Sequence, residues 1–408
     1  MPALQRRLGV GDAVVIGLGS MLGAGVFAAF APAAEAAGTG LLLALLVAAV
    51  VAFCNATSSA RLAAVHPQAG GTYVYGRRQL GPIWGFTAGW AFVVGKTASC
   101  AAMALTAGSY AWPEHPRPVA VAVVVALVAV DYRGIVKTAR LTRLLVAVTL
   151  LVLLLVVVAS LAGGATDADR LRPLTGESPY GMLQAAGLLF FAFAGYARIA
   201  TLGEEVRDPA RTIVRAVPLA LGLVVLTYAA VAVSLLLVLG ADGVAAGPAP
   251  LRDAVRAGSL SELAPAVRVG AVAASVGVLV SLLAGVGRTT LAMARDAELP
   301  TALAAVHPRY GVPHRAEVVL GAVVVLLVLT LDLRGAIGFS SFGVLTYYAI
   351  ANVSAWTLTG PVRRWLRPVA ALGLLGCLVL AATLPVAGVV TGLAVLGAGL
   401  LGRAVIRR

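Results

Sequence analysis

Two glycine-rich stretches combine residue types and a spacing that suit the binding of a small dipolar solute. The first runs over residues 17–27, Gly-Leu-Gly-Ser-Met-Leu-Gly-Ala-Gly-Val-Phe, and the second over residues 188–198, Leu-Leu-Phe-Phe-Ala-Phe-Ala-Gly-Tyr-Ala-Arg. Both lie inside long apolar runs, and glycine readily interrupts a helix. A broken helix exposes amide N–H groups at its new start and carbonyls at its new end, which suit an anion and a cation respectively. A zwitterionic amino acid carries both charges.

The first stretch alone has two simpler interpretations. Gly17 and Gly19 are spaced like the start of a dinucleotide-binding fingerprint, but Gly23 comes one residue too late and no strand precedes the motif. Gly19 and Gly23 also match a helix-packing motif that needs no ligand. The second break lies five predicted spans later. Glycine-interrupted helices at corresponding positions of two halves are typical of the binding site of an inverted-repeat carrier, so the pair favours binding over packing.

One basic side chain, Lys96, lies deep within an apolar run of the sequence Gly-Lys-Thr-Ala-Ser-Cys over residues 95–100. An unpaired charge at that depth costs at least about 2.5–3.5 kcal/mol, so Lys96 is expected to be functional, paired or neutral. Burial disfavours the charged form of an amine, and Lys96 is therefore a candidate for proton uptake and release. The alternative is a fixed cation bonded to the carbonyls of the broken helices in place of sodium.

The residue patterns of enzymes, metal sites and channels are missing from the sequence. An enzyme needs paired carboxylates, a histidine cluster or a nucleophile with its base, whereas Glu35, Asp131 and Asp332 are isolated charges at span ends. The three cysteines are odd in number and lie inside spans, and no two of the four histidines are spaced as metal ligands on a helix. No repeated filter or ring of charge indicates a channel. We therefore expect neither an enzyme nor a metal or cofactor.

The elements that position these residues are predicted to be transmembrane helices. The chain has 408 residues, of which 60% are hydrophobic and 12% are charged, whereas a soluble domain is about a quarter charged. Charge-poor runs long enough to cross a bilayer number about twelve. They cover residues 12–34, 39–62, 82–111, 117–131, 141–162, 181–203, 212–240, 265–288, 315–332, 336–359, 366–383 and 385–402.

The net charge of +14 does not indicate nucleic-acid binding. With the N-terminus inside and twelve spans, most of the 31 basic residues fall in cytoplasmic segments, as the positive-inside rule requires. Both termini are therefore predicted to lie in the cytoplasm. The first apolar run is interpreted as a span and not as a cleaved signal, and no segment between spans is long enough for a soluble domain.

Two loop motifs accompany these breaks. Residues 203–211 read Gly-Glu-Glu-Val-Arg-Asp-Pro-Ala-Arg, and residues 288–300 read Arg-Thr-Thr-Leu-Ala-Met-Ala-Arg-Asp-Ala-Glu-Leu-Pro. Together with the Gly-Ala-Gly-Val-Phe of residues 23–27 and the segment 307–313, they make the chain resemble the amino acid–polyamine–organocation superfamily of permeases. The resemblance covers nearly the whole chain in the number and order of spans.

The resemblance implies an all-α membrane protein with a five-plus-five inverted repeat, discontinuous first and sixth helices and two additional C-terminal helices. The first repeat would cover about 12–162, the second about 181–359 and the additional helices about 366–402 of a single domain, 1–408. It also implies binding residues. Backbone amides would hold a substrate carboxylate, carbonyls would hold its ammonium and aromatic side chains would line the pocket or gate it. The amides belong to Gly23, Ala24 and Gly25, the carbonyls to Met21, Phe191 and Ala194, and the aromatic side chains to Phe191, Phe193 and Tyr196, around Gly195.

The sequence departs from the family at positions that concern coupling and specificity. Several proton-coupled members carry a lysine in the fifth span where this chain has Thr149. Either Lys96 takes the role of that lysine, or the chain is an exchanger or facilitator. Sodium coupling would use hydroxyls of the eighth span, for which Ser275 is the main candidate. An acidic residue common after the sixth-span glycine is replaced by Ala197, which removes an anchor for cationic side chains.

A mixed-charge segment follows the sixth span. Arg198, Glu204 and Glu205 are candidates for an inner gate or an ion pair, against the alternative of a solvated loop. The resulting expectation is secondary transport of an amino acid or related amine by alternating access across a bacterial inner membrane, coupled to protons or sodium. An uncoupled exchanger or facilitator is the alternative, and a polytopic membrane enzyme is the less favoured one.

Overall fold

The computed structural model describes residues 8–68, 70–134, 139–173, 176, 178–202, 205–360 and 363–406, with side chains omitted at 139 and 140. The described chain is almost entirely helical. The α-helices in chain order are α1 Val10–Met21, α2 Ala24–Ala28, α3 Phe30–Ala37, α4 Leu41–Val65, α5 Thr72–Gln79, α6 Pro82–Ala111, α7 Pro116–Tyr132, α8 Ala139–Ala162, α9 Pro179–Phe193, α10 Ala197–Ala200, α11 Pro209–Ala245, α12 Pro250–Ala257, α13 Ala264–Arg295, α14 His314–Thr330, α15 Leu333–Trp356, α16 Arg363–Thr383 and α17 Val386–Ile406.

The predicted spans correspond to these helices. Among the described residues, 10 helical segments are long and apolar enough to cross a membrane. The two remaining predicted spans coincide with α7 and α14, which have 17 residues each, or about 25 Å of helix. Apolar side chains on the outer helices are exposed, as on α17, and such a surface requires lipid around it. The prediction of an all-α multi-pass membrane protein is confirmed.

The first span is broken as its glycines predict. Helix α1 ends at Met21, because Leu22 (φ −78°, ψ 50°) and Gly23 (φ −110°, ψ −144°) leave helical geometry before α2 begins. A second, milder interruption at Ala29 separates α2 from α3. Pro32 lies one turn later and has no N–H to donate to the preceding turn, which weakens the helix at this point.

The sixth span is broken by a tighter turn. Helix α9 ends at Phe193, a 3₁₀ turn covers Ala194–Tyr196, and α10 follows for one turn. A 3₁₀ segment inside a helix shifts the hydrogen-bonding pattern and leaves carbonyls to find other partners. Both glycine-interrupted spans are therefore discontinuous, as expected. The assignment of two inverted repeats stays a prediction.

Helix contacts divide much of the bundle into two groups. Helices α6, α7, α13 and α14 contact one another in every pairing. The broken helices belong to the other group, in which α11 contacts α1 and α4, and α4 contacts α9. Helix α15 touches both groups through α6, α4 and α9. The breaks thus lie where the second group meets the helices α13 and α15.

Two short helices, α5 and α12, fall in segments that the sequence analysis left as loops. Both lack the length of a span, and hydropathy therefore did not reveal them. Helix α12 buries its apolar side, including Leu251 and Val255, while Arg252 and Asp253 pair on its polar side at 2.7 Å. Amphipathic spacing of this kind was the available sequence signal.

Candidate functional site

The two helix breaks touch each other directly. A Cβ atom placed on Gly195 would lie 2.2 Å from the carbonyl oxygen of Ser20 and 2.7 Å from the amide nitrogen of Met21. On the other side of the first break, a Cβ atom on Gly25 would lie 2.7 Å from the Cα atom of Ala192. Only glycine permits such close approach of backbone to backbone. The interrupted segments therefore meet peptide against peptide, without side chains between them.

Two tyrosine hydroxyls lie within hydrogen-bonding distance of carbonyl oxygens at the helix breaks. The hydroxyl of Tyr228 on α11 lies 2.6 Å from the Met21 carbonyl oxygen and 3.0 Å from that of Ala192. The hydroxyl of Tyr348 on α15 donates to the Ala194 carbonyl at 3.2 Å. A phenol has one proton, so Tyr228 donates to one of its two carbonyls at a time. These tyrosines were missed by the sequence analysis, although Tyr228 is a lone tyrosine in an aliphatic span.

The predicted binding residues surround this junction. Gly195 is partly exposed, and the other predicted binding residues are buried: Met21, Gly23, Ala24, Gly25, Phe191, Phe193, Ala194 and Tyr196. The aromatic rings pack on the two tyrosines, with Phe193 5.1 Å from Tyr228 and Tyr196 4.9 Å from Tyr348 between ring centroids. The structure thus brings the predicted residues together, while their role in binding stays a prediction.

A narrow cleft lies beside the first break. Its volume is about 10 Å³, and it is lined by Gly19 of α1 and the adjacent Leu22, by Thr149 of α8 and by Gly277 and Val278 of α13, among others. The Thr149 hydroxyl donates to the Leu145 carbonyl of its own helix at 2.8 Å. The predicted coupling position in the fifth span therefore does face the first break.

The other two coupling candidates, Ser275 and Lys96, are buried and do not line this cleft. Ser275 on α13 is fully buried, and its hydroxyl has no hydrogen-bond partner in the part of the chain that the structure describes. Lys96 on α6 is 7% exposed, and no hydrogen bond or ion pair to it occurs among the described residues. The group that interacts with its charge is Cys100, one turn along the same helix.

Of the predicted gate residues, Arg198 and Glu205 lie in the described part of the chain, where no salt bridge joins their side chains. Arg198 is exposed and donates to the Thr201 hydroxyl at 3.5 Å, while it interacts electrostatically with Glu205. The Glu205 carbonyl accepts a hydrogen bond from the Leu8 amide at 3.1 Å, which ties the N-terminal segment to the end of the sixth span. Glu204 lies outside the described residues.

An ion-pair network does exist at the same end of the bundle, but other residues form it. Arg77 of α5 contacts Asp296 at 2.5 Å and Glu298 at 3.6 Å, and Arg403 of α17 contacts Glu298 at 3.6 Å. The Tyr73 hydroxyl donates to Asp296 at 2.5 Å. Burial, followed by this hydrogen bond, raises the pKa of Tyr73 above its usual range, so the phenol keeps its proton. We call these five residues the loop latch.

The interpretation of Glu35 and Asp131 as isolated charges is wrong. Glu35 forms an ion pair with Arg334 of α15. Asp131 interacts electrostatically with Glu317 of α14 and Arg288 of α13. The three residues are far apart in the chain and meet because α7, α13 and α14 pack together. Spacing along one helix could not reveal such a group.

Comparisons with known proteins agree with this architecture. The model of the family described as amino acid permease matches residues 12–362. An uncharacterized transporter of Mycobacterium tuberculosis is 64% identical over 396 residues, covering 97% of this chain and 90% of the relative. A branched-chain amino acid permease of Bacillus subtilis is 25% identical, covering 87% and 81%.

A similarity of the same order extends to an animal protein. The cationic amino acid transporter 4 of Mus musculus is 28% identical over 379 residues, which cover 86% of this chain and 59% of that longer protein. The family match extends over most of the chain and includes both broken spans. With its multi-pass helical fold and two abutting helix breaks, the chain belongs to the amino acid permease family.

Proposed function

We propose that the chain carries a zwitterionic amino acid across the membrane by alternating access. The observation that carries this proposal is the direct contact between the two breaks at Gly195 and Met21. Unpaired peptide groups are costly in lipid and persist where a partner or a cavity satisfies them. The substrate carboxylate would bind the amides of residues 23–25, and its ammonium would bind the carbonyls of Met21, Phe191 and Ala194.

The tyrosine contacts support this assignment. A hydroxyl proton on the Met21 carbonyl and another on the Ala194 carbonyl supply the positive partner that a substrate ammonium would supply. An ammonium has three donors and a full charge, so it forms stronger hydrogen bonds than a phenol. Substrate binding then consists of an exchange in which the ammonium displaces the hydroxyls of Tyr228 and Tyr348.

The preferred substrate is a neutral amino acid. The side chains proposed to line the pocket are the aromatic residues Phe191, Phe193 and Tyr196, and Ala197 offers no carboxylate to a cationic side chain. Arg198 is exposed next to it and repels cations. The names of the relatives include both branched-chain and cationic substrates, so the local charge decides between them here.

The proposed location is the plasma membrane of a bacterium, with both termini in the cytoplasm. The excess of basic residues in segments on one side of the twelve predicted spans supports this orientation. The ends of α1, α7, α10 and α13 that carry Asp12, Asp131, Arg198 and Arg288 would then face the cytoplasm.

Uptake of radiolabelled amino acids into proteoliposomes tests the proposal. Saturable, stereoselective uptake of a neutral amino acid is the expected result, because a carrier binds the zwitterion at fixed amides and carbonyls. Counterflow from preloaded vesicles separates exchange from uptake, since an obligate exchanger works only with solute on both sides. Folded protein that shows neither uptake nor counterflow across a complete amino acid panel would overturn the proposal.

A further inference from the structure

A pair of carboxyl groups is formed where the end of α7 packs on the start of α14. The two helices approach closely, because a Cβ atom on Gly321 would lie 2.7 Å from a methyl group of Val128. This packing brings together Asp131, the penultimate residue of α7, and Glu317, in the first turn of α14. The two side chains interact electrostatically. Neither residue belongs to the substrate site described above.

Both carboxyl groups are buried, and each retains an oxygen without a partner. Asp131 is 9% exposed and Glu317 is 5% exposed. Among the described residues, no hydrogen bond reaches Oδ2 of Asp131 or Oε2 of Glu317. An ionised oxygen that is buried and unpaired is strongly destabilising. A proton on one of the oxygens removes that cost, since a carboxylic acid donates where a carboxylate only accepts.

Among the described residues, one permanent cation, Arg288, interacts with both carboxyl groups. The side chains that interact with the carboxyl groups are Arg288 on α13 and Cys100 on α6. Tyr132 follows Asp131 on α7, and its ring lies 6.0 Å from the ring of His314 on α14 and 5.4 Å from that of His307. Arg288 is a permanent cation and balances one carboxylate. Cys100 is buried, and the Lys96 ammonium that couples to it lies a further turn away. Two carboxylates in one buried site share a proton.

We propose that Asp131 and Glu317 together bind one proton and that this pair couples proton movement to solute transport. The coupling part of the inference rests on the proposed transport function, whereas the proton site itself does not. When the pair holds a proton, Arg288 faces a single negative charge. When the proton leaves, Arg288 faces two and is held more strongly.

Arg288 connects this pair to the broken helices. It lies on α13, in the group formed with α6, α7 and α14, and it also interacts electrostatically with Arg198 of α10 in the other group. Helix α13 also contacts the first break, where Val278 lies against Gly23. A change in the electrostatic attraction between Arg288 and the carboxyl pair is therefore transmitted to both broken spans. The proton state of the pair thus biases how the two groups of helices pack.

The first test measures the proton on purified protein without any transport. The folded pair binds a proton that separated, solvated carboxyl groups release, so the folded state binds more protons and its stability falls as pH rises. The melting temperature of the parent chain should fall from mildly acidic to mildly alkaline pH. In Asp131→Asn and Glu317→Gln, this part of the pH dependence should disappear. Asp242→Asn and Glu262→Gln, which remove exposed carboxylates, should keep it.

The second test uses proteoliposomes with an imposed pH gradient. One proton per solute lets a gradient of about one pH unit drive about tenfold accumulation. Asp131→Asn and Glu317→Gln should lose this accumulation but retain counterflow, and replacing sodium with choline should change nothing. If both variants accumulate solute as the parent does, or if accumulation follows sodium, the coupling role is overturned. Absence of counterflow in the parent chain would instead contradict the proposed transport function, with the pH-dependent melting left as the separate measure of the proton site.

Discussion

At the residue scale, single atoms decide how the two breaks satisfy their peptide groups. The Tyr228 hydroxyl holds carbonyls from both broken helices, at Met21 and Ala192, and so joins one interrupted span to the other. The glycines at the same junction contribute by having no side chain. Sequence reasoning found the glycines because their type and spacing are visible along the chain. It missed the tyrosines because their partners come from helices distant in sequence.

We expect Tyr228→Phe to lower stability and to strengthen substrate binding. The substitution leaves a buried carbonyl without its donor, which costs about 1–3 kcal/mol. A substrate ammonium would then meet no competing hydroxyl, and binding should tighten by about fivefold to 150-fold if this cost is fully recovered. Thermal unfolding and calorimetric titration measure the two effects. Tyr180→Phe, at an exposed tyrosine, is the control and should change neither; weaker binding in Tyr228→Phe would contradict the displacement model.

We expect Gly195→Ala to separate the two breaks and to abolish transport. The added methyl group would meet the Ser20 carbonyl at 2.2 Å, and the backbone would have to move, at a cost of about 1–3 kcal/mol. Gly222→Ala on α11 is the matched control, because a Cβ atom there has nothing within 4 Å. It should be neutral or stabilise the helix by up to about 1 kcal/mol. Uptake assays and melting curves compare the two, and normal transport in Gly195→Ala would show that close contact of the breaks is dispensable.

At the element scale, hydropathy was sufficient to predict the long helices. It was not sufficient to predict the short helices or the contacts between helices. Helix α6 begins and ends at residues 82 and 111, as predicted, since Gly81 and Pro82 mark its start and an apolar run defines its length. The short helices α5 and α12 were not predicted, because they need only one buried side. The Asp131–Glu317 pair was also missed, since it depends on which helices pack together. Order along the chain does not contain that information.

Helix α6 carries the deeply placed Lys96, and we expect Lys96→Ala to change the pH dependence of transport or to abolish transport. The ammonium is buried and couples to Cys100, so its removal alters the charge near Asp131. Lys96→Arg separates the role of the charge from that of proton release, because a guanidinium keeps the positive charge but does not release a proton. Uptake rates across a pH series provide the measurement. A profile for Lys96→Ala identical to that of the parent would remove this residue from the mechanism.

The loop latch joins α5 and α17 to the segment after α13, and we expect Arg403→Gln to weaken it. Arg403 contacts the carboxylate of Glu298, which is fully buried, and the loss of a charged donor there costs about 1–3 kcal/mol. Arg364→Gln removes an exposed arginine from α16 and should cost almost nothing. Melting temperatures of the two variants compare these costs. Equal melting temperatures would mean that the Arg403–Glu298 ion pair does not contribute to holding α17.

At the scale of the whole molecule, most of the helices form two groups that meet at the proposed substrate site. One group contains the proton-binding pair proposed above, and the other contains both broken helices. Composition and charge placement were enough to predict an all-α multi-pass membrane protein, because every span must satisfy its own backbone in lipid. Neither of them indicates which surfaces of the helices face one another, so the division into groups came from the structure.

The charge at the end of the route that is proposed to face the cytoplasm leads to a prediction about substrate class. Arg198 and Arg288 are exposed at that end, and they raise the energy of a second cation. Excess leucine or valine should therefore compete with uptake of a labelled neutral amino acid, whereas excess arginine or lysine should not. The control is D-leucine, which has the same charge as L-leucine but the wrong geometry. Strong competition by arginine would contradict the proposed preference for neutral amino acids.

The tyrosine that joins the two interrupted spans has a consequence for the direction of flux. If only a bound substrate could satisfy the unpaired carbonyls, the carrier would need a substrate for each return step. Such a carrier would be limited to one-for-one exchange. Tyr228 covers the Met21 oxygen from within the protein. In the proposed carrier, the vacant site could then return without a bound solute, which favours net uptake over obligate exchange.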